Sequence, residues 1–175
     1  MTAVAEAPTS IPVAADPLLL DATVNAVSNG LMMCETKARC VSISSVPNQD
    51  TGLLTGVIGV HGKVSGFVTV NMSERFGIAA VEGLLQEKYG ELSSQVVDGV
   101  GEITNIIVGG IKSALSGTKW SFSNITVPSV IVGKGYQIAY AKGLDFLSIS
   151  FEHDDPEAIM LEDRLMQVSI SLLRL

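Results

Sequence analysis

The chain has 175 residues, of which 47% are hydrophobic, and it carries a formal net charge of −7 with a pI near 4.7. So much apolar material supports a folded core and excludes a chain that is disordered over most of its length. The acidic balance, without any run of Lys and Arg, argues against nucleic acid as a partner. No apolar stretch reaches the roughly 18 to 20 residues that span a bilayer, so no membrane partner is predicted.

The chain begins with a mixture of Ala, Pro, Thr and Val over residues 1–15, which predicts a flexible leader. This segment lacks the positive charges and the continuous apolar run of a secretory signal, so a cytoplasmic protein is predicted. Residues 16–175 are expected to form a single domain. Its first helix opens at Asp16 and Pro17, an N-cap followed by proline at the first helical position, and runs to about Cys34.

Three β-rich runs follow the first helix, over residues 38–45, 52–60 and 63–71. Apolar and polar residues alternate in the first run, as they do in a half-buried strand. His61 and Gly62 separate the other two runs and predict a hairpin turn. Two helices come next. Ser73 caps the first of them, predicted over residues 74–86.

The second of these helices is long, and it is predicted to begin at Glu91 and to end with Gly117 as its C′ residue. Three further β-like runs are predicted over residues 121–132, 136–151 and 160–173, with a break at Gly143. The element order is therefore α-βββ-αα-βββ, a coarse repeat. It predicts an α+β fold, a mainly antiparallel sheet with helices packed on one face. The regular last run also predicts dimerisation through an edge strand.

Cysteine and histidine do not indicate a metal site. Cys34 and Cys40 form no disulfide framework and are expected to be reduced thiols. His61 and His153 show no ligand spacing with them, so no metal is predicted.

The long helix has one crowded polar side. At about 100° per residue, and taking Asp98 as zero, Glu102 lies near +40° and Asn105 near −20°. Gly109 lies near +20° and Lys112 near −40° on the same scale. The apolar residues of the helix cluster in the opposite direction: Val100, Ile103, Ile107, Ile111 and Ala114. Without further information, such a polar side indicates plain solvated helix surface.

Gly109 and Gly110 lie next to each other in this helix, and each costs roughly 1 kcal/mol of helix stability relative to alanine. Gly110 is expected to pack closely on the sheet. Gly109 lies on the polar side, where the absence of a side chain favours the close approach of a partner.

The spacing of four residues makes this helix specific. Three residues separate Asp98 from Glu102, two separate Glu102 from Asn105, and twenty-two separate Asn105 from Pro128. This spacing resembles the signature of the CheC/CheX/FliY family of bacterial chemotaxis phosphatases. All four positions match. Members of the CheC type carry the signature twice, whereas the register equivalents in the first helix here are Asn25 and Ser28. A single signature indicates the CheX type.

This resemblance implies a homodimer that dephosphorylates a phosphorylated CheY-like response regulator. Asn105 would orient the attacking water, because a carboxamide both accepts and donates hydrogen bonds. Glu102 would pair with the active-site lysine of the regulator. Asp98, Gly109 and Lys112 would contact the partner. The protein would need no cofactor of its own, since the regulator supplies Mg²⁺.

Pro128 is expected to be structural, fixing a strand edge or a turn. Two rival functions remain open. The same helix could bind a response regulator in a non-catalytic adaptor, but a pure binder has no need of Asn105, so the sequence favours the enzyme. The fold would also suit a structural module of the flagellar-switch type.

Overall fold

The computed structural model describes residues 15–47, 52–136, 138 and 143–174. Of the predicted leader, residues 1–14 lie outside this part of the chain. The helices are α1 (Pro17–Met33), α2 (Glu74–Leu85) and α3 (Ser94–Ala114), with a short 3₁₀ helix at Leu161–Arg164. The strands are β1 (Ala38–Ser44), β2 (Leu54–Gly62), β3 (Val64–Met72), β4 (Phe122–Ile125), β5 (Ser129–Val132), β6 (Asp145–His153) and β7 (Leu165–Arg174).

The seven strands form one antiparallel sheet in the order β1-β6-β7-β3-β2-β4, and β5 also pairs with β2. Helices α2 and α3 pack on one face of it, and α1 packs beside α3 in the same core. The predicted α+β fold is thereby confirmed. One expectation was wrong: β7 pairs with β3 on one side and β6 on the other, so it offers no free edge for dimerisation.

The core lies between the sheet and the helices because buried apolar side chains recur at every second position along the central strands. Leu54 and Ile58 on β2 and Val168 and Ile170 on β7 are at most 1% exposed. The same face of β2 carries Gly56, and a Cβ built there would lie 1.9 Å from Thr104 Oγ1 of α3. Alternation of this kind buries every second side chain under the helices.

Local capping sets where the helices begin. Asp16 accepts a hydrogen bond from Leu18 N at 3.0 Å, as predicted for α1, and Ser73 accepts from Phe76 N at 3.0 Å for α2. The prediction that the long helix begins at Glu91 was wrong. Ser93 is its N-cap and accepts from Val96 N at 3.3 Å, because a hydroxyl at that position satisfies a backbone donor that a glutamate two residues earlier cannot reach.

Several predicted boundaries also shift. Helix α3 ends at Ala114 with Leu115 as its C-cap, so Gly117, at φ +76°, lies one position beyond C′. His61 and Gly62 belong to β2 rather than to a turn. The run over residues 121–132 is two strands with Pro128 at their junction, because proline cannot donate a ladder hydrogen bond.

The last two runs also change. The run over residues 136–151 includes residues 137 and 139–142, which lie outside the described part of the chain. Its strand, β6, begins only at Asp145. The final run starts with the 3₁₀ helix before β7.

Candidate functional site

The predicted site residues of α3 lie on its outward face. Asp98 and Glu102 are exposed, whereas Asn105, Gly109 and Lys112 are partly exposed. The structure thus brings five of the six predicted site residues onto one surface, which we call the signature stripe (Asp98, Glu102, Asn105, Gly109 and Lys112). The opposite side of α3 is buried against the sheet and α1, with Val100, Ile103, Ile107 and Ile111 at 0% exposure. Ala114, which was expected among them, is exposed.

Helix α1 bounds the signature stripe on one side. A Cβ built on Gly30 would lie 3.1 Å from Ile107 Cγ1 and 3.4 Å from Ile106 Cγ2. One built on Gly110 would lie 3.0 Å from Ala26 Cβ. Gly110 therefore packs against α1, and the expectation that it packs on the sheet was wrong. Two small residues facing a neighbour in this way let the helix axes approach closely.

Strand β5 bounds the stripe on the other side, and here Pro128 joins the site. A Cβ built on Gly101 would lie 3.7 Å from Pro128 Cγ and 3.6 Å from Val130 Cγ2. Pro128 therefore lies against α3 itself, one helical turn from Asn105, despite its distance in sequence. Gly101 was missed in the sequence. Its signal is a glycine inside a helix, which costs helix stability, although a Cβ at this position would make only ordinary van der Waals contacts.

Glu102 and Asn105 are available for a partner. Neither side chain makes a hydrogen bond or an ion pair with any residue in the described ranges. Their buried neighbour Thr104, in contrast, donates to Val100 O at 2.7 Å. Glu102 and Asn105 are three positions apart, roughly 4.5 Å along the axis, so a carboxylate and a carboxamide are presented side by side.

Gly109 leaves an open place in the stripe, since a Cβ built there would meet no atom within 4 Å. Lys112 lies a turn further on, at the rim of a shallow depression of about 440 Å³. Several hydroxyls line the same depression, namely those of Ser113, Ser116, Ser121 and Ser123. The carboxyl-terminal half of the stripe is therefore both sterically open and positively charged.

Substitution of Gly109 separates stability from function. We expect Gly109→Ala to raise the free energy of unfolding by about 0.5–1 kcal/mol in urea denaturation, because alanine favours the helix and the added methyl group meets nothing. Gly110→Ala is the matched control, since its methyl group would press on Ala26. We expect Gly109→Phe to fold but to block the partner's approach. A folded Gly109→Phe protein with unchanged partner affinity would exclude Gly109 from the interface.

Helix α1 carries a similar exposed row without the same chemistry. Asp21, Asn25 and Ser28 are all exposed and have the spacing of Asp98, Glu102 and Asn105. An amide and a hydroxyl replace the carboxylate and the carboxamide. The described chain therefore presents the Glu-Asn pair at this spacing on α3 and not on α1.

The described residues give little support to a metal site, a membrane-spanning helix or a reactive cysteine. They contain no group of three or more His, Cys, Asp or Glu side chains that could hold a metal ion. None of the described helices is long and apolar enough to cross a bilayer. Cys34 and Cys40 are both free, and burial raises the pKa of the Cys34 thiol to about 11, which disfavours a reactive thiolate.

Comparison with known proteins gives a consistent result. A family model described as chemotaxis phosphatase CheX matches residues 54–152, more than half of the chain. No curated protein sequence matches significantly.

Solved structures share the fold. A chemotaxis protein CheX from Desulfovibrio desulfuricans is 25% identical, with 89% of this chain and 99% of that chain covered and a TM-score of 0.75. The CheX of Vibrio vulnificus is 22% identical over 89% and 99% of the chains, with a TM-score of 0.74. A CheX–CheY–BeF₃–Mg²⁺ complex from Borrelia burgdorferi contains a chain that is 22% identical over 89% and 95%, with a TM-score of 0.69.

Proposed function

The chain belongs to the chemotaxis phosphatase CheX family, and we propose that it hydrolyses the aspartyl phosphate of a CheY-like response regulator. The observation that carries this proposal is the pair Glu102 and Asn105, which project from α3 without partners among the described side chains. The CheX of Borrelia burgdorferi forms a complex with CheY, BeF₃ and Mg²⁺, which supports a partner of this kind.

The proposed reaction requires little covalent chemistry from the protein. An acyl phosphate has a good leaving group, and phosphoryl transfer is accelerated mainly by positioning and charge matching. Asn105 supplies the positioning: its amide oxygen accepts a hydrogen bond from the attacking water, and its NH₂ donates to a phosphoryl oxygen or to the water. Water attacks phosphorus, the bond to the aspartate oxygen breaks, and inorganic phosphate leaves with the regulator's carboxylate restored.

Glu102 holds the two proteins in register. Its exposed carboxylate pairs with the lysine in the regulator's active site, which places Asn105 over the phosphoryl group. We rank this role above general-base catalysis, because a loose transition state gains little from early deprotonation of water. Asp98, Gly109 and Lys112 contact the regulator on either side. The regulator provides Mg²⁺, and this protein contributes no cofactor.

Assembly is part of the same proposal. We propose a homodimer that acts in the cytoplasm. Since β7 is paired on both sides, the described sheet offers β1 at one end and the β4–β5 pair at the other for any edge contact. Sedimentation velocity at micromolar concentration checks the assembly, and a monomer alone would contradict it.

The experiment measures loss of ³²P from a phosphorylated CheY-like receiver domain, with the protein at a tenth of the receiver concentration. We expect several turnovers per molecule and a clear acceleration over spontaneous hydrolysis. The test should cover each receiver encoded beside the gene. Binding to the beryllofluoride-activated receiver without faster hydrolysis would establish the adaptor function instead.

A further inference from the structure

The corner between β4 and β5 exposes an apolar side chain to solvent beside the signature stripe. Thr126 N donates to Gly59 O at 2.9 Å, and Gly59 N donates to Thr126 Oγ1 at 2.9 Å. On the other side of the corner, Pro128 packs against α3 at Gly101. Val127 lies between these two anchors and is 83% exposed. The backbone on both sides of Val127 is thus fixed.

This corner continues into an apolar strip along β5. Val130 packs beside Gly101, and Val132, which pairs with Leu54, lies on the same helix-facing side and is 48% exposed. We call Val127, Pro128, Val130 and Val132 the β5 strip. In the angular frame of α3, Gly101 lies at about −60° and Asn105 at about −20°, so the strip flanks the Asn105 side of the signature stripe.

A receiver seated over Asn105 needs more contact than the signature stripe provides. From Asp98 to Lys112 the stripe is roughly 21 Å long and one side-chain row wide, on the order of 200 Å². Even the smaller specific interfaces bury several hundred Å² on each partner, with an apolar centre inside a polar rim. The partner must therefore spread over a flank of α3. The exposed row of α1 is polar at its centre, with Asp21, Asn25 and Ser28, and its exposed apolar members, Leu18 and Met32, lie at the two ends.

We propose that the β5 strip is the apolar half of the docking surface for the receiver domain, an inference that rests on the proposed function. Its occupant is an apolar side chain that borders the receiver's acyl-phosphate pocket. Charged contacts from Glu102 and Lys112 orient the receiver, and desolvation of Val127 and Val132 holds it. Single exposed valines are common on protein surfaces, but these two adjoin the proposed catalytic residues and stand on a fixed backbone.

The test compares the Val127→Ser/Val132→Ser double variant with Ile159→Ser. Ile159, in the loop after β6, is 94% exposed and provides a matched loss of surface apolar area elsewhere. We expect the double variant to raise KM for the phosphorylated receiver on the order of tenfold with kcat unchanged. Its affinity for the beryllofluoride-activated receiver should fall by the same factor. Val127→Ser alone, at so exposed a position, should leave thermal unfolding unchanged and account for part of the loss.

The outcomes separate the two proposals. If wild-type protein never accelerates hydrolysis of any receiver tested, the proposed function fails. If wild-type protein is active, but both valine variants match Ile159→Ser in KM and in affinity, the β5 strip is not part of the docking surface. A fall in kcat at saturating receiver without a change in KM would also overturn the inference, because it would place the strip in catalysis rather than docking.

Discussion

Asn105→Ala should lower kcat for hydrolysis of the phosphorylated receiver about a hundredfold and change the affinity for it less than threefold. A hundredfold loss corresponds to about 2.7 kcal/mol of transition-state stabilisation, which is reasonable for one positioned water. The side chain is on the surface and makes no hydrogen bond within the described chain, so truncation should leave stability unchanged. Single-turnover phosphate release from a saturated complex measures the effect without interference from binding.

Asn25→Ala is the matched control for this variant. Asn25 is an exposed asparagine on α1, in the row that parallels the signature stripe. It should leave both kcat and KM unchanged. Normal turnover by Asn105→Ala would contradict the water-positioning role, and an equal loss in Asn25→Ala would move the active surface to α1.

Glu102→Lys should raise KM for the same receiver by on the order of a hundredfold, because an attractive pair with the regulator's lysine becomes a repulsive one. Glu102→Gln removes only the charge and should raise KM by on the order of tenfold. Added salt screens the wild-type pair, so KM of the wild-type protein should rise with ionic strength and KM of Glu102→Gln should rise less. Steady-state kinetics at several salt concentrations measure KM for the wild-type protein, Glu102→Lys and Glu102→Gln.

Asp21→Lys controls for the change in net charge. Asp21 is exposed on α1, so its reversal alters the total charge by the same amount away from Glu102. It should change KM little. A similar rise in KM for Asp21→Lys and Glu102→Lys would indicate general electrostatic steering, whereas a loss of kcat alone in Glu102→Gln would indicate general-base catalysis.

The helical period made α3 predictable. Val100, Ile103 and Ile107 repeat at the spacing that buries one side, which leaves Glu102 and Asn105 facing outward without knowledge of the fold. The signature spacing supplied the family, which the match over residues 54–152 confirms. The α+β class followed equally well, because a strand's alternation and a helix's period are local properties.

Pairing over long distances was not predictable in the same way. The sequence of the last predicted run does not indicate that β7 lies between β3 and β6. The alternation of apolar and polar residues determines which face of a strand is buried, but not which strands pair with it. Gly110 meets Ala26 of a helix more than eighty residues earlier in the chain. Pro128 and Gly101 are also distant in sequence, and their contact could not be predicted because it depends on the sheet placing β5 beside α3.

A crystal structure of this protein with its beryllofluoride-activated receiver tests the proposed mechanism most directly. We predict that α3 covers the receiver's active site, with Glu102 paired to the receiver's lysine and the Asn105 amide about 3 Å from a water in line with the bond between beryllium and the aspartate oxygen. A complex in which the signature stripe faces solvent, or in which Asn105 lies away from that water, would contradict it.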